Sequence, residues 1–563
     1  MKIFNGVSKK VKRLVIISSL SIVGVFTLLS FSSTSYFEVA KNLDIYATLF
    51  KELNTYYVDD IEPSTLMRTS IDAMLHSLDP YTSYISEAEI ENYRLQTTGK
   101  YGGIGSLIRN IGDYIIIAEP YEGFPADKGG LLAGDRLLTI GDESIVNKNT
   151  EEVSKLLKGQ AGTNVDVTIE RLQSDGSYKN FAFTLTREEI VVPNVPYYGF
   201  VENDIAYVRL SNFTERAGAE VRDALEALKT EKPDIKGIIF DLRGNPGGLL
   251  NEAVNVSNAF VDKGELIVST KGKIPEWDKT FKTLNPAVDT DLPLAVLING
   301  GSASASEIVS GSIQDLDRGI IVGQKSFGKG LVQTTRSLTY NTKLKVTTAK
   351  YYIPSGRCIQ AINYADRDKD GSVAKMPDSL RTPFKTSVGR VVYDGGGIWP
   401  DVETESQKLS NITLSLLSAN LIFDYATIYH SRNEKINSSF DFHINDEDFN
   451  QFVEWISDKK YDYSTKSEEI IEELEKISKG ENYYDALSQD IDNLRKGIAH
   501  DKKKDVQKHK IEIIELIEEE IVSRYYHRKG QIEASFDNDN DIIEAVKFLK
   551  SPEDYRALFE PAE

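Results

Sequence analysis

Residues 294–316 read LAVLI, then NGGSASAS, then EIVSGSIQDL. The first five residues are apolar without alternation, as in a strand buried on both faces. The middle is a turn of small residues. The last part has Ile308, Val309, Ile313 and Leu316 at helical spacing. It opens with Ser304-x-x-Glu307, a capping box that satisfies a helix's first N–H groups. Residues 237–260 repeat the pattern: the buried run Gly237 to Leu242, the turn Arg243 to Gly248, then a helix from Asn251 to Phe260. Before them, a strand from Ile205 to Leu210 leads to an amphipathic helix from Glu215 to Lys229. Strands alternating with helices imply βαβ units and a largely parallel sheet, an α/β core expected over residues 188–403. Function in such sheets gathers at the carboxyl ends of the strands. Both glycine-rich turns, 243–248 and 299–303, lie there.

Upstream, residues 99–187 change character. Gly99, Gly102, Gly103 and Gly105 surround Tyr101 and Ile104. Alternating strands follow at 114–117, 136–140 and 165–169, with a short amphipathic helix from Thr150 to Leu157. The glycine loop, with Pro125-Ala126 and the later Leu132 to Asp135, resembles a PDZ domain. In that family the loop, here Gly102, Gly103, Ile104 and Gly105, offers N–H groups to a peptide's terminal carboxylate, and the peptide adds as a strand. Glycines are expected because a Cβ would block the carboxylate's approach.

Residues 36–98 read as helical and are expected to pack on the later domains. Before them, Lys9, Lys10, Lys12 and Arg13 precede an uncharged run from Leu14 to Phe31. A basic flank before an apolar stretch of this length reads as a signal anchor or a signal peptide over residues 1–35. Either way the remainder is expected on the outer side of the cytoplasmic membrane. The net charge of −20 argues against a nucleic-acid partner. The single cysteine, Cys358, rules out an intrachain disulfide. Residues 404–563 are charged and helical in pattern, an extension suited to a dimer interface or a docking platform for an adaptor. Asp537 to Asp541 reads most simply as a solvated run.

Ser304 invites two readings, a helix cap or a nucleophile. Ala303 and Ala305 leave its approach open, and a helix N-terminus favours an oxyanion. A serine nucleophile needs a base. The six histidines are His76, His430, His443, His500, His509 and His527, so none falls between 77 and 429. Lysine is the alternative, because burial can lower its pKa by several units. Lys329, in Phe327-Gly328-Lys329-Gly330, is the candidate. It also ends Gly323-x-x-x-x-Gly328-Lys329, a phosphate-loop spacing that needs Ser or Thr next and a following helix. Gly330 follows instead, and residues 331–335 favour a strand.

NGGSASASEI, FGKGLVQ, DLRGNPGG and the PDZ-like module together resemble the carboxyl-terminal processing peptidases, or tail-specific proteases, over residues 40–403. The resemblance implies a serine endopeptidase with a serine-lysine dyad. Its nucleophile falls on Ser304, its base on Lys329, and an assisting glutamine on Gln333. Its oxyanion donors fall on the N–H groups of Gly248 and Ala305. Spacing of four is expected to keep Lys329 and Gln333 on one side of their element. The implied substrates are proteins or peptides with free C-termini, and no metal or cofactor is implied. A PDZ domain separate from the dyad suggests gating. The opposing reading is a catalytically inactive, membrane-anchored PDZ scaffold. Asp366, Asp368 and Asp370 start an EF-hand-like loop, but its twelfth position is Pro377 instead of a bidentate Glu, so a polar hairpin is expected over calcium.

Overall fold

A computed structural model of the chain describes residues 36–364, 367, 373, 377–406, 408–502 and 504–560. The expected membrane segment, residues 1–35, lies outside them, as do Asp366, Asp368 and Asp370 of the calcium question. Among the described residues no single helix is long and apolar enough to cross a membrane. The chain divides into two compact units, and the boundary at Tyr84/Ile85 cuts the segment expected to be one helical region. The first unit holds a helix over residues 36–56 and a second, Pro63–His76. Proline opens the second because its missing N–H costs nothing in a first turn. In the first helix Val39, Leu43 and Leu49 are exposed.

Near its start the second unit has a short 3-10 turn, Glu87–Glu89, and the helix Ile90–Thr98, which lead into the PDZ-like domain. Its main sheet orders the strands Ser106–Ile111, Tyr114–Pro120, Arg136–Ile140, Asn164–Leu172 and Tyr178–Thr186, all antiparallel. Ile104, Ile117, Val153, Val167 and Ile169 fill its core. The helix Thr150–Leu157 starts at an Asn149/Glu152 capping box. A separate two-stranded ladder, Lys100–Gly103 with Glu188–Val191, closes the domain where the chain enters and leaves it.

The α/β core is a six-stranded sheet. The order is Tyr197–Val201, Ile205–Arg209, Gly237–Asp241, Leu294–Ile298, Ile320–Gly323 and Val402–Glu403. Only the first pair is antiparallel. The central strands are buried on both faces, as their unbroken apolar runs require. One face is covered by the helices Ala217–Glu231, Leu250–Phe260 and Ala305–Asp315. The other is covered by the end of the chain: Ile532, Phe536, Ile542, Ala545 and Leu549 pack on Tyr207, Ile239, Ala295 and Leu297. Residues beyond 404 are therefore not only an extension, because their last helices complete the α/β sandwich. The Asp537 to Asp541 run is only partly a solvated face: Asp537, Asn538 and Asn540 are exposed, while Asp539 and Asp541 turn inward. Arg243 donates to Asp539 and Asp541 at 2.8 Å each, and Asp541 is buried. The helices between, from 411 to 522, build a core of their own around Phe449, Phe452 and Ile517.

A second sheet flanks the core. Leu331–Ser337 pairs with Lys343–Tyr352, which pairs with Leu266–Gly272, and that strand pairs with Lys279–Lys282.

Candidate active site

The two glycine turns are sewn together. The Asn299 carboxamide oxygen accepts the N–H of Gly244 at 2.9 Å and of Gly301 at 3.0 Å. The Ala303 N–H reaches the Asn245 carbonyl at 3.0 Å. This fixes the approach of Gly247 to the start of the Ala305–Asp315 helix. A Cβ on Gly247 would lie 2.7 Å from the Ala303 oxygen and 2.8 Å from the Ala305 nitrogen. Glycine is a steric requirement there.

The three neighbouring serines separate cleanly. Ser302 donates to the Leu242 carbonyl at 2.9 Å, and Ser306 donates to the Asn245 carbonyl at 2.9 Å; both are fully buried. Ser304 is half-buried, and its hydroxyl makes no hydrogen bond among the described residues. Its backbone is at φ 55°, ψ −110°, a conformation that non-glycine residues rarely adopt. Strain of this kind persists where the surroundings over-determine it, and it concentrates at functional sites.

Glu307 is what over-determines it. Its carboxylate is fully buried and accepts from the Ser304 N–H at 2.8 Å, the Lys329 N–H at 2.9 Å, the Gly328 N–H at 2.7 Å and the Ser326 hydroxyl at 2.5 Å. One side chain thus holds the Ser304 turn and the Lys329 loop together. Burial pushes its pKa up to about 7 against those four donors. Tyr351 adds a second clasp: its hydroxyl lies 2.5 Å from the Lys329 carbonyl oxygen and 3.1 Å from that of Ser304. Sequence reasoning saw Glu307 only as a capping-box residue and gave Tyr351 no site role. Apart from the Ser304 N–H, the partners of both lie too far along the chain for any spacing rule.

A cleft of about 660 Å³ collects Gly247, Gly248, Ser304, Ala305, Lys329 and Gln333. No histidine lines it. The N–H groups of Gly248 and Ala305 find no acceptor among the described residues, although their neighbours on both sides are tied down. Gly248 is held by an isolated bridge to Phe213, with φ 154°. Lys329 sits half-buried on the loop before the Leu331–Ser337 strand. That strand rules out the phosphate-loop reading, which needs a helix there. The loop amides of Gly328 and Lys329 are also already committed to Glu307.

The expectation that spacing alone aligns Lys329 and Gln333 is corrected. Lys329 precedes the strand, and a bulge between Val332 and Gln333 breaks the alternation. Gln333 enters the cleft through that bulge, and its amide donates to the Thr347 hydroxyl at 3.1 Å, not to Lys329.

In the PDZ domain, Gly102 and Gly103 belong to the closing ladder, opposite Glu189 and Glu188. The expected reason for the glycines also changes. A Cβ on Gly102 would meet the Gly159 carbonyl at 2.1 Å, one on Gly103 the Tyr101 ring at 2.7 Å, and one on Gly105 Phe124 at 2.5 Å. Packing of the domain against its own loop demands them, more than access for a ligand. The N–H groups of Ile104 and Gly105 remain without acceptors among the described residues. The adjoining strand, Ser106–Ile111, is an edge strand beside the helix Thr150–Leu157.

Fold and site together define a PDZ-containing protease of the α/β type. The Peptidase family S41 pattern matches residues 204–366, a PDZ domain pattern residues 116–171, and "Probable PDZ-protease, C-terminal helical domain" residues 412–549. The "Carboxy-terminal-processing protease" of Bartonella bacilliformis is 40% identical over 324 residues, 57% of this chain and 73% of that one. A "Probable CtpA-like serine protease" of Staphylococcus aureus is 34% identical over 322 residues, covering 56% of this chain and 62% of its own. The solved photosystem II D1 C-terminal processing protease aligns at 25% identity over 64% of this chain and 92% of its own, with a TM-score of 0.34. The chain belongs to the carboxy-terminal-processing serine protease family, peptidase family S41.

Proposed function

We propose that this chain is a serine endopeptidase that uses a Ser304–Lys329 dyad. The observation that carries the reading is the withheld hydroxyl of Ser304. It is unpaired and strained, in one cleft with Lys329 and the unpaired N–H groups of Gly248 and Ala305. Neutral Lys329 takes the proton as Ser304 Oγ bonds to the substrate carbonyl carbon. The resulting oxyanion receives hydrogen bonds from Gly248 and Ala305 at a helix N-terminus, where the dipole favours negative charge. As the C–N bond breaks, Lys329 returns the proton to the leaving amine. Water, deprotonated by the same lysine, then releases the acyl group. Gln333 takes the role of a positioning residue on the cleft wall.

The PDZ domain presents substrate C-termini in this reading. The open amides of Ile104 and Gly105 suit a carboxylate, and the free edge of Ser106–Ile111 suits an added strand. Gly99 and Val192, at the ends of the ladder joining this domain to the core, also line the cleft. Movement of the PDZ domain would therefore reach the cleft rim, which supports gating. The basic and apolar stretch from Lys9 to Phe31 supports a location on the outer side of the cytoplasmic membrane.

Incubating an unfolded polypeptide with wild type, Ser304→Ala and Lys329→Ala tests the dyad. Wild type cleaves and both variants lose cleavage; equal inertness of wild type and Ser304→Ala would return the chain to the scaffold reading. Free-acid and amidated tail peptides test the PDZ role, and equal affinity would remove it.

A further inference from the structure

The sheet wall of the cleft continues past Gln333. Across the Leu331–Ser337 and Lys343–Tyr352 ladder, Gln333 faces Thr347 and Thr335 faces Lys345. Residues two apart on a strand share a face, so these side chains project from one side. Gln333, Thr335 and Lys345 all line the cleft. Lys345 lies diagonally across the ladder from Gln333, about 7–8 Å away, comparable to two residues of an extended peptide.

Lys345 is unlike its neighbours. Thr335 accepts the Tyr93 hydroxyl at 3.0 Å, and Lys343 lies over the Tyr93 ring at 5.9 Å. The Lys345 ammonium has no hydrogen bond, ion pair or ring contact among the described residues. Burial is the one influence on it and pushes its pKa down. A partly desolvated cation without a partner is a costly thing to keep, and a carboxylate would relieve that cost. The lining offers none: it holds Lys329 and Lys345 but no Asp, Glu or Arg, in a chain with 86 acidic and 66 basic residues. With Lys329 taken up by the proposed proton transfer, Lys345 is the other basic side chain that lines the cleft.

We propose that Lys345 is a specificity-determining residue that receives a substrate carboxylate, borne either by an acidic side chain near the scissile bond or by the substrate's own C-terminus. The proposal rests on the cleft being the proteolytic site, and its test is built to fail separately from that reading. Two peptide pairs separate the sources: Glu against Gln at each position flanking the scissile bond, all with amidated ends, and free acid against amide in a neutral sequence. The two members of each pair are compared by kcat/KM in wild type, Lys345→Met and Lys345→Arg, and by fluorescence anisotropy on the inactive Ser304→Ala background. Wild type is expected to favour the anionic member of one pair by about tenfold, the size of one charge-assisted contact. Lys345→Met brings that ratio near one, and Lys345→Arg keeps it. The pair that responds identifies the source. Equal kcat/KM and equal affinity within both pairs in wild type, or an undiminished preference in Lys345→Met, overturns the proposal. If nothing is cleaved but the anionic peptide still binds tighter through Lys345, the protease reading fails and the carboxylate site stands.

Discussion

Among the described residues the same four-residue motif opens three α-helices in the second unit, and only one of them faces the cleft. Asn149-x-x-Glu152 and Thr465-x-x-Glu468 behave as helix caps. Their backbones are extended, at φ −88° and −90°, and their side-chain oxygens accept the third N–H at 3.0 and 3.2 Å. Ser304-x-x-Glu307 keeps the reciprocal half, with Glu307 accepting the Ser304 N–H. The other half keeps the residues close but not the bond: Ser304 has turned to φ 55°, and its hydroxyl makes no capping hydrogen bond. The motif is therefore not the signal. What marks a functional helix start is an oxygen withheld from the cap, with a carboxylate buried to hold the backbone that withholds it.

The sharpest way to break this contrast is alanine at each cap. Ser304→Ala is expected to lower kcat/KM by about 10⁴ or more while leaving thermal stability nearly unchanged, because no capping bond is lost. Asn149→Ala and Thr465→Ala should do the reverse, costing about 1 kcal/mol each with no effect on the chemical step. Assays of peptide cleavage and urea unfolding on the three variants would show it. A Ser304→Ala protein destabilised as much as the other two would make Ser304 an ordinary cap.

The glutamates differ next. Glu307→Gln keeps the shape but puts an NH₂ where donors converge, so about two of the four hydrogen bonds become donor against donor. At about 1–3 kcal/mol for each buried group left unsatisfied, a loss of about 2–5 kcal/mol follows. The Lys329 loop loosens with it, and kcat/KM should fall about 10²-fold. Glu152→Gln and Glu468→Gln, at wetter sites, should stay within about 0.5 kcal/mol. Equal costs at all three glutamates would deny Glu307 its clasping role.

Glu307 also adds a pH dependence. Its pKa is about 7 in the folded chain against 4.5 for an ordinary glutamate. The folded state therefore keeps a proton that the unfolded state releases between those values. Stability from this group is complete below about 4.5 and is lost as pH rises through 7. The stability difference between wild type and Glu307→Gln should shrink from pH 5 to pH 8. A difference that stays flat would mean that Glu307 is already ionised throughout.

Much of the fold was legible because it was local. Unbroken apolar runs announced the buried strands, and alternation, the glycine loop and an amphipathic pattern announced the PDZ domain and its helix from Thr150. The choice of Ser304 over Ser302 and Ser306 came from family likeness, since nothing in the spacing separates them. Burial does, and burial is not a local property. The clasp of Glu307 on residues 326–329 spans about twenty positions, and the pairing of Arg243 with Asp539 spans 296. Hence the charged tail read as solvent-facing, although its end closes the second face of the sheet. The bulge at Gln333 was hidden for a different reason: a one-residue irregularity leaves no mark on a short polar strand.

The smallest effect has the most informative sign. At φ 55°, ψ −110° an L-residue carries about 1–3 kcal/mol of strain, whereas glycine visits such conformations freely. Against that, glycine loses about 0.5–1 kcal/mol more backbone entropy on folding. Because Ser304 contributes no capping bond, nothing else enters the difference. Ser304→Gly should therefore stabilise the protein by about 0.5–2 kcal/mol while abolishing cleavage. Thr465→Gly, from an unstrained cap, can only destabilise, by a few tenths of a kcal/mol. Opposite signs in urea unfolding would show that the nucleophile's position is maintained at the expense of stability. Matching signs would mean that the strained backbone is not a property of the chain in solution, and the distinction between the caps would then rest on the hydroxyl alone.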